Sequence, residues 1–263
     1  MRSLIAIAVY DTDDNKRTEY TIKTYESVTR TIFDDTQVCF IDNDSCLRTK
    51  EFLKSVQSGD LKVDVITNTS NIGTAEAINK AWYKYKDIPY KIKLDNDVVF
   101  HEPGWVEDMI RCFELNPEIG ILGLKRKDLP NEPSSESYPT KLAYLNHSLG
   151  DKWDFKNVVE YCEDIIGTCL MFNPELFNKI GYLYQPGSYG FDDVLACARS
   201  LKAGFRNAFY PSVEIDHIDT GETVYADWKR KYAGVYLPKI GGIISEYSSG
   251  EKSIHYNPFE NNQ

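Results

Sequence analysis

The stretch KIKLDNDVVF, residues 91–100, sets three polar side chains, two of them carboxylates, inside a run that otherwise reads as a buried strand. In an extended chain residues i and i+2 point the same way, so Asp95 and Asp97 share one side and can face one cavity. Two carboxylates that close repel unless a cation or a shared proton lies between them. A hard divalent ion, Mg2+ or Mn2+, suits such a pair, because these ions bind through one or two carboxylates plus substrate phosphates. The residues alone equally describe an acidic turn that ends a strand, so the rest of the chain has to decide.

Upstream, residues 4–10 form the continuous apolar run of a strand covered on both faces. The spacing of Tyr20, Ile22, Tyr25, Val28 and Ile32 predicts an amphipathic helix over 18–33, and 37–42 is a second short apolar run ending in acids. Strand, helix and strand in that order are the signature of a βαβ unit. A helix over 51–58, a strand over 62–68, a helix over 74–85 begun just after Asn71-Ile72-Gly73, and a strand over 91–94 continue it. Open α/β sheets bind ligands beyond the carboxyl ends of their strands, where Asp11, Asp42, Asp44, Asn71 and the acids at 95 and 97 all fall. Downstream, the pattern predicts a helix over 105–115, strands over 119–124 and 165–172, and helices over 174–180 and 192–203, the last with acids in its first turn. Residues 127–154 have no clear period, and a loop of that length is more often functional than structural filler. Beyond 217 the chain shows aromatics and Gly241-Gly242 but no pattern that places them.

The totals bound the function. At 263 residues with 42% hydrophobic side chains the chain can fill a sizeable core. A formal charge of −10 argues against general affinity for nucleic acid, and the runs Lys125-Arg126-Lys127 and Lys229-Arg230-Lys231 read as solvated surface charge. Six cysteines lack CxxC or zinc-type Cys/His spacing and read as reduced thiols. The early apolar run over 4–9 is too short for a membrane span or a signal segment. A cytoplasmic protein is expected, with contact to a membrane surface left open.

The order of short segments is more specific than any one of them. Asp42-Asn43-Asp44-Ser45, Asn71-Ile72-Gly73-Thr74 with Asn79 behind it, Asp95-Asn96-Asp97, Ile166-Gly167-Thr168-Cys169, and Phe191-Asp192-Asp193-Val194 with Arg199 follow one another along the chain. This series resembles the family 2 glycosyltransferases of the GT-A fold, over roughly residues 4 to 217. The resemblance implies a Rossmann-like, mostly parallel mixed sheet flanked by helices. Residues 1–100 would form the nucleotide-sugar half, 101–217 the acceptor and catalytic half, and 218–263 a C-terminal extension. It implies transfer of a sugar from a nucleotide-diphosphate donor, of the UDP type, to an acceptor hydroxyl with inversion, in glycan synthesis. Two sequence departures matter: Tyr10-Asp11-Thr12 replaces the family's Pro-Thr-Tyr-Asn, and Leu195 stands where many relatives carry another acid.

Carried over residue by residue, the resemblance makes Asp97 a ligand of Mn2+ or Mg2+, with Asp95 reaching the ribose or the metal and His217 a late metal ligand. Tyr10, Asp11, Asp42, Asp44, Asn71, Gly73 and Asn96 would line the donor, with Asp42 and Asp44 meeting the base. Asp193 is the expected general base, with Asp192 its rival; first-turn acids also complement a helix dipole. Trp82 and Trp105 read as packing. Two other classes stay open: a nucleotidyltransferase, which normally opens with a Gly-rich loop where this chain has Asp11-Thr12-Asp13-Asp14, and a non-catalytic carbohydrate-binding relative. A modified nucleic acid stays open as acceptor only through the two basic runs.

Overall fold

The structure, a computed structural model, describes residues 1–59, 62–128, 141–144, 148–149, 152–153, 158–219 and 224–260. Four parallel strands come first: β1 (Ser3–Val9), β2 (Thr36–Asp42), β3 (Val63–Thr67) and β4 (Tyr90–Leu94), with β1 between β2 and β4. Helices α1 (Thr18–Thr31), α2 (Leu47–Gly59) and α3 (Thr74–Lys84) connect them. Then come β5 (Val98–Val99), α4 (Trp105–Leu115), β6 (Ile119–Arg126) and the short strands β7 (Lys141–Tyr144), β8 (Ser148–Leu149) and β9 (Lys152–Trp153). The chain continues with β10 (Val158–Cys162), β11 (Cys169–Phe172), α5 (Pro174–Ile180), α6 (Asp192–Lys202), β12 (Arg206–His217) and α7 (Val224–Ser249). The main sheet runs β3-β2-β1-β4-β11-β6-β12-β10-β7, with β11 antiparallel to both its neighbours and β12 parallel to β6.

Alternation along buried strands divides the core in two. Ile5, Ile7, Val38 and Phe40 face α1, α2 and α4, while Leu4, Ala6, Cys39 and Ile41 face α3, α5 and α6. Trp105 fills the first layer and Trp82 the second, both fully buried, as expected of packing residues.

Helix α1 is where expected, but its inward face differs. Thr18, Thr21, Thr24, Ser27, Val28 and Thr31 are the buried positions, whereas Tyr20, Ile22, Tyr25 and Ile32 are only partly covered. Hydroxyls turn inward because polar backbone and carboxylates lie beneath them: Thr24 accepts a hydrogen bond from the Val98 N–H at 3.0 Å, and Thr21 donates to Asp11 at 2.7 Å.

Strand β12 and helix α7 escape a periodicity reading. In β12 the register against β6 shifts between Tyr210 and Glu214, around Pro211, a bulge that interrupts alternation and redirects the strand toward β5. In α7 the polar and apolar residues follow no clean stripe, and Pro238 sits within it. Its Ile240 and Tyr247 pack on Leu195 of α6, and the segment after it returns to pair Tyr256 with Gly181. Helix α7 and the described residues after it thus pack against α6 and the end of α5. The aperiodic stretch 127–154 lies largely outside the described residues. Among the described residues all six cysteines are free thiols, and no helix is long and apolar enough to cross a membrane.

Candidate active site

Strand β4 ends at Leu94, yet the Asp95 N–H still donates to Thr168 O at 3.0 Å before the chain turns. Asn96, nearly buried, anchors that turn: its amide donates to Asp11 Oδ1 at 2.9 Å and Thr21 Oγ1 at 2.8 Å. The polar middle residue of the quoted stretch therefore ties strand to helix, leaving its two acidic neighbours to face a cavity of about 280 Å3. Residues Asp192 and Asp193, in the first turn of α6, line the same cavity.

A distant strand completes the first acidic cluster. Antiparallel pairing of β5 with β12 sets His217 opposite Val98, and the Ile218 N–H donates to Asp97 O at 2.9 Å. That register brings His217 Nε2 to 3.3 Å from Asp97 Oδ2. Arg17 Nη2 meets the same oxygen at 2.5 Å, and its Nη1 is bonded to Asp219. Burial pushes the Asp97 carboxyl up, but the His217 hydrogen bond and the Arg17 charge outweigh it and hold the group well below the usual carboxylate range.

Lys93 organises the second cluster. Its Nζ lies 3.0 Å from Asp95 Oδ1 and 3.8 Å from Asp192 Oδ2, and it donates to Gly167 O. Burial disfavours the ammonium, but Asp95, Asp192 and Asp193 together hold it above the ordinary lysine range. Asp193 is fixed by two backbone donors, Gly167 N–H to Oδ2 and Val194 N–H to Oδ1, both at 2.8 Å. Burial first and the Asp192 charge second push Asp193 up to about 6, against the opposing pull of Lys93 and those two donors. Glycine at 167 lets those two groups approach: a Cβ there would sit 2.8 Å from both Lys93 Nζ and Asp193 Oδ2 and displace the ends of both side chains.

Of the residues expected to line the donor, Tyr10, Asn71, Asp95 and Asn96 do line the cavity. Asp11 does not. It is fully buried, taking hydrogen bonds from Thr21, Thr49 and Asn96, so it acts on the cavity through Asn96. Asp42 is 1% exposed and spends its carboxylate on the Ser45 N–H at 2.8 Å, while Asp44, at φ 65°, is exposed and paired with Lys50 at 2.6 Å. Asn43, between them, is the residue of that segment that reaches the cavity. Gly73, at φ 91°, makes its close approach to the Ser188 backbone, where a Cβ would lie 2.9 Å from Cα.

Sequence reasoning missed Arg17, Lys93 and Arg126, all of which line the cavity. Arg126 had read as solvated charge, but it is held by Asp128 at 3.0 Å, and Lys125 pairs with Glu160. The signal for Lys93 was present: a lysine within a buried strand, in the same i, i+2 series as Asp95 and Asp97.

Among the described residues no three His, Cys, Asp or Glu side chains form a metal-holding group by themselves. Asp97 and His217 nevertheless suit a divalent ion that takes its remaining ligands from phosphate and water. Asp97 Oδ1 and His217 Nδ1 are buried without a hydrogen-bond partner, an arrangement costly for a carboxylate oxygen unless something pairs with it.

The family described as glycosyl transferase family 2 matches the chain over residues 5–181. The chain belongs to that family. No curated protein matches this glycosyltransferase by sequence. Solved structures share its fold. A mannosyltransferase, PcManGT from Pyrobaculum calidifontis, in complex with GDP-Man and Mn2+, is 13% identical at TM-score 0.64, covering 86% of this chain and 59% of that one. GalNAc-T7 with UDP, GalNAc and Mn2+ is 14% identical at TM-score 0.60, covering 82% and 44%. S. aureus TarS 1-349 with UDP-GlcNAc is 14% identical at TM-score 0.58, covering 84% and 61%. This family 2 glycosyltransferase thus has the expected GT-A architecture and spans less than two thirds of each of these proteins.

Proposed function

We propose that this family 2 glycosyltransferase is metal-dependent and inverting, moving a sugar from a nucleotide-diphosphate donor to a hydroxyl of a glycan acceptor. The carrying observation is that Asp95, Asp97, Asp192 and Asp193, drawn from two distant segments, line one cavity around Lys93. The neighbours' complexes with GDP-Man, UDP and UDP-GlcNAc support a nucleotide-sugar donor, and UDP-sugars are the first to test.

Asp193 is the general base. It is only half-buried, its two backbone bonds fix its orientation, and a pKa of about 6 leaves it ionised yet basic at neutral pH. Removing the acceptor proton while the hydroxyl attacks opposite the leaving diphosphate gives inversion. Asp192, buried beside Lys93 and Gln185, raises the basicity of Asp193 by its charge. Lys93 keeps the three carboxylates together. Asn43 and Asn71 lie along the wall of the cavity and suit nucleoside contacts. Asp97 and His217 would hold Mn2+ or Mg2+, with Asp95 bound to Lys93 and directed to the donor sugar or ribose; when bound, the cation neutralises charge building on the diphosphate. Leu195, in place of a further acid, is fully buried against α7, so that position serves helix docking in this chain.

Thermal unfolding with UDP, UDP plus Mn2+, and ATP plus Mg2+ tests the reading. A ligand at a hundred times its Kd adds about 2.7 kcal/mol, several degrees in Tm for a chain of this size. UDP with Mn2+ should stabilise the wild type and not Asp97→Ala. Stabilisation by ATP alone would favour a nucleotidyltransferase instead.

A further inference from the structure

Arg17 stands at the N-terminal cap of α1, and nothing in the proposed reaction uses it. Its side chain is 7% exposed and lines the cavity, with one guanidinium nitrogen on Asp97 Oδ2, the other on Asp219, and a 3.3 Å contact to Asn96 Oδ1. Asp219 is itself 4% exposed. One fixed positive charge thus serves two buried carboxylates, and one of them is the strongest candidate ligand for a divalent cation. Arg17 and His217 converge on the same oxygen of Asp97, which leaves Oδ1 buried and unpartnered on the other side of the carboxylate.

We propose that Arg17 is a resident counter-ion that competes with the divalent cation for Asp97, and that Asp219 is the second carboxylate that holds Arg17 as the cation takes over. The inference rests on the reading of Asp97 and His217 as cation ligands. A guanidinium cannot lose its proton in a protein, so its charge opposes an incoming dication throughout. Two positive charges near one carboxylate repel strongly at this burial, so the bare cation binds weakly and binds well only when diphosphate supplies further negative charge. Asp219 lies two residues past His217, so the competition also ties the cation site to the end of β12.

Competition predicts opposite effects from the two ends of the tie. Mn2+ binding to the full chain is followed by loss of the free-ion paramagnetic resonance signal, without nucleotide and then with UDP, for wild type, Arg17→Gln, Asp219→Asn and Asp97→Asn. Arg17→Gln keeps hydrogen bonding without the charge and should tighten Mn2+ binding without nucleotide on the order of tenfold or more. Asp219→Asn removes a carboxylate that shares the arginine charge with Asp97 and should weaken Mn2+ binding several-fold, roughly. UDP should strengthen Mn2+ binding far more in wild type than in Arg17→Gln. Equal affinities in wild type and Arg17→Gln, or shifts of the same sign in both variants, overturn the competition. If Arg17→Gln does not fold, judged by circular dichroism, an unchanged or tightened affinity in Asp219→Asn overturns it alone. Unchanged Mn2+ binding in Asp97→Asn removes the cation site itself, and the inference with it.

Discussion

Lys93→Met removes one charge from the middle of the catalytic cluster and leaves a side chain of similar length in a buried position. With Lys93 present, the Asp193 pKa of about 6 leaves about nine tenths of the carboxylate ionised at pH 7. A base works only while ionised, so activity falls as pH drops through that value. A neighbouring opposite charge lowers a carboxyl by roughly one to three pH units, and Lys93 is the cation that pulls the Asp193 carboxyl down. Its removal should therefore move the acid limb up by about two pH units, which leaves about one tenth of the base ionised at pH 7. The expected result is a roughly tenfold fall in kcat at pH 7, largely regained near pH 9. Asp95 and Asp192 lose the same partner, so some loss of stability accompanies it. The assay is nucleotide release from a donor sugar across pH 5 to 9, with circular dichroism at each pH. An acid limb that stays where wild type has it, or a deficit equal at pH 7 and pH 9, refutes the argument that Lys93 sets the basicity of Asp193.

Asp193→Asn keeps the shape of the site and should remove turnover by a factor of 100 or more, roughly, while UDP binding with Mn2+ persists in thermal shift; unchanged turnover moves the role to Asp192. Gly167→Ala inserts a methyl 2.8 Å from Lys93 Nζ and Asp193 Oδ2, so kcat should collapse with little change in donor KM, read from steady-state kinetics. Arg199→Met tests the fold, since the buried guanidinium donates to the carbonyls of Ile254 at 2.6 Å, Tyr182 at 2.8 Å and Ile180. The Ile180 carbonyl keeps the Tyr256 N–H at 2.9 Å, but losing the guanidinium from the other two should cost about 2–4 kcal/mol in urea unfolding and expose the chain after α7 to protease, a loss partly offset by no longer burying a charge.

Much of this was legible before any coordinates. The continuous apolar run at β1 marked a strand covered on both faces, a second short apolar run marked β2, and the helix and strand spacing up to Leu94 pointed to the parallel half of the sheet, because each of those elements carries its own period. The acids at positions 95, 97, 192 and 193 stood out because each pair closes or opens such an element. The inward face of α1 was misread because hydroxyls look solvent-facing until the polar groups they serve are known. Asp42 and Asp44 looked alike in sequence, yet one is spent on a loop hydrogen bond and the other on a surface lysine.

The sequence by itself determined the alternating strands and helices, the family, and which acids end which elements, since local periodicity and short segments need only neighbouring residues. Only the tertiary structure decided that Lys93 binds Asp95 and Asp192 together, that His217 meets Asp97 through the pairing of β5 with β12, and that Arg17 joins Asp97 to Asp219. Apart from Lys93 with its near neighbour Asp95, those contacts join residues far apart in the chain, and burial and Coulomb interactions give them their chemistry only once the sheet has brought them within a few ångströms.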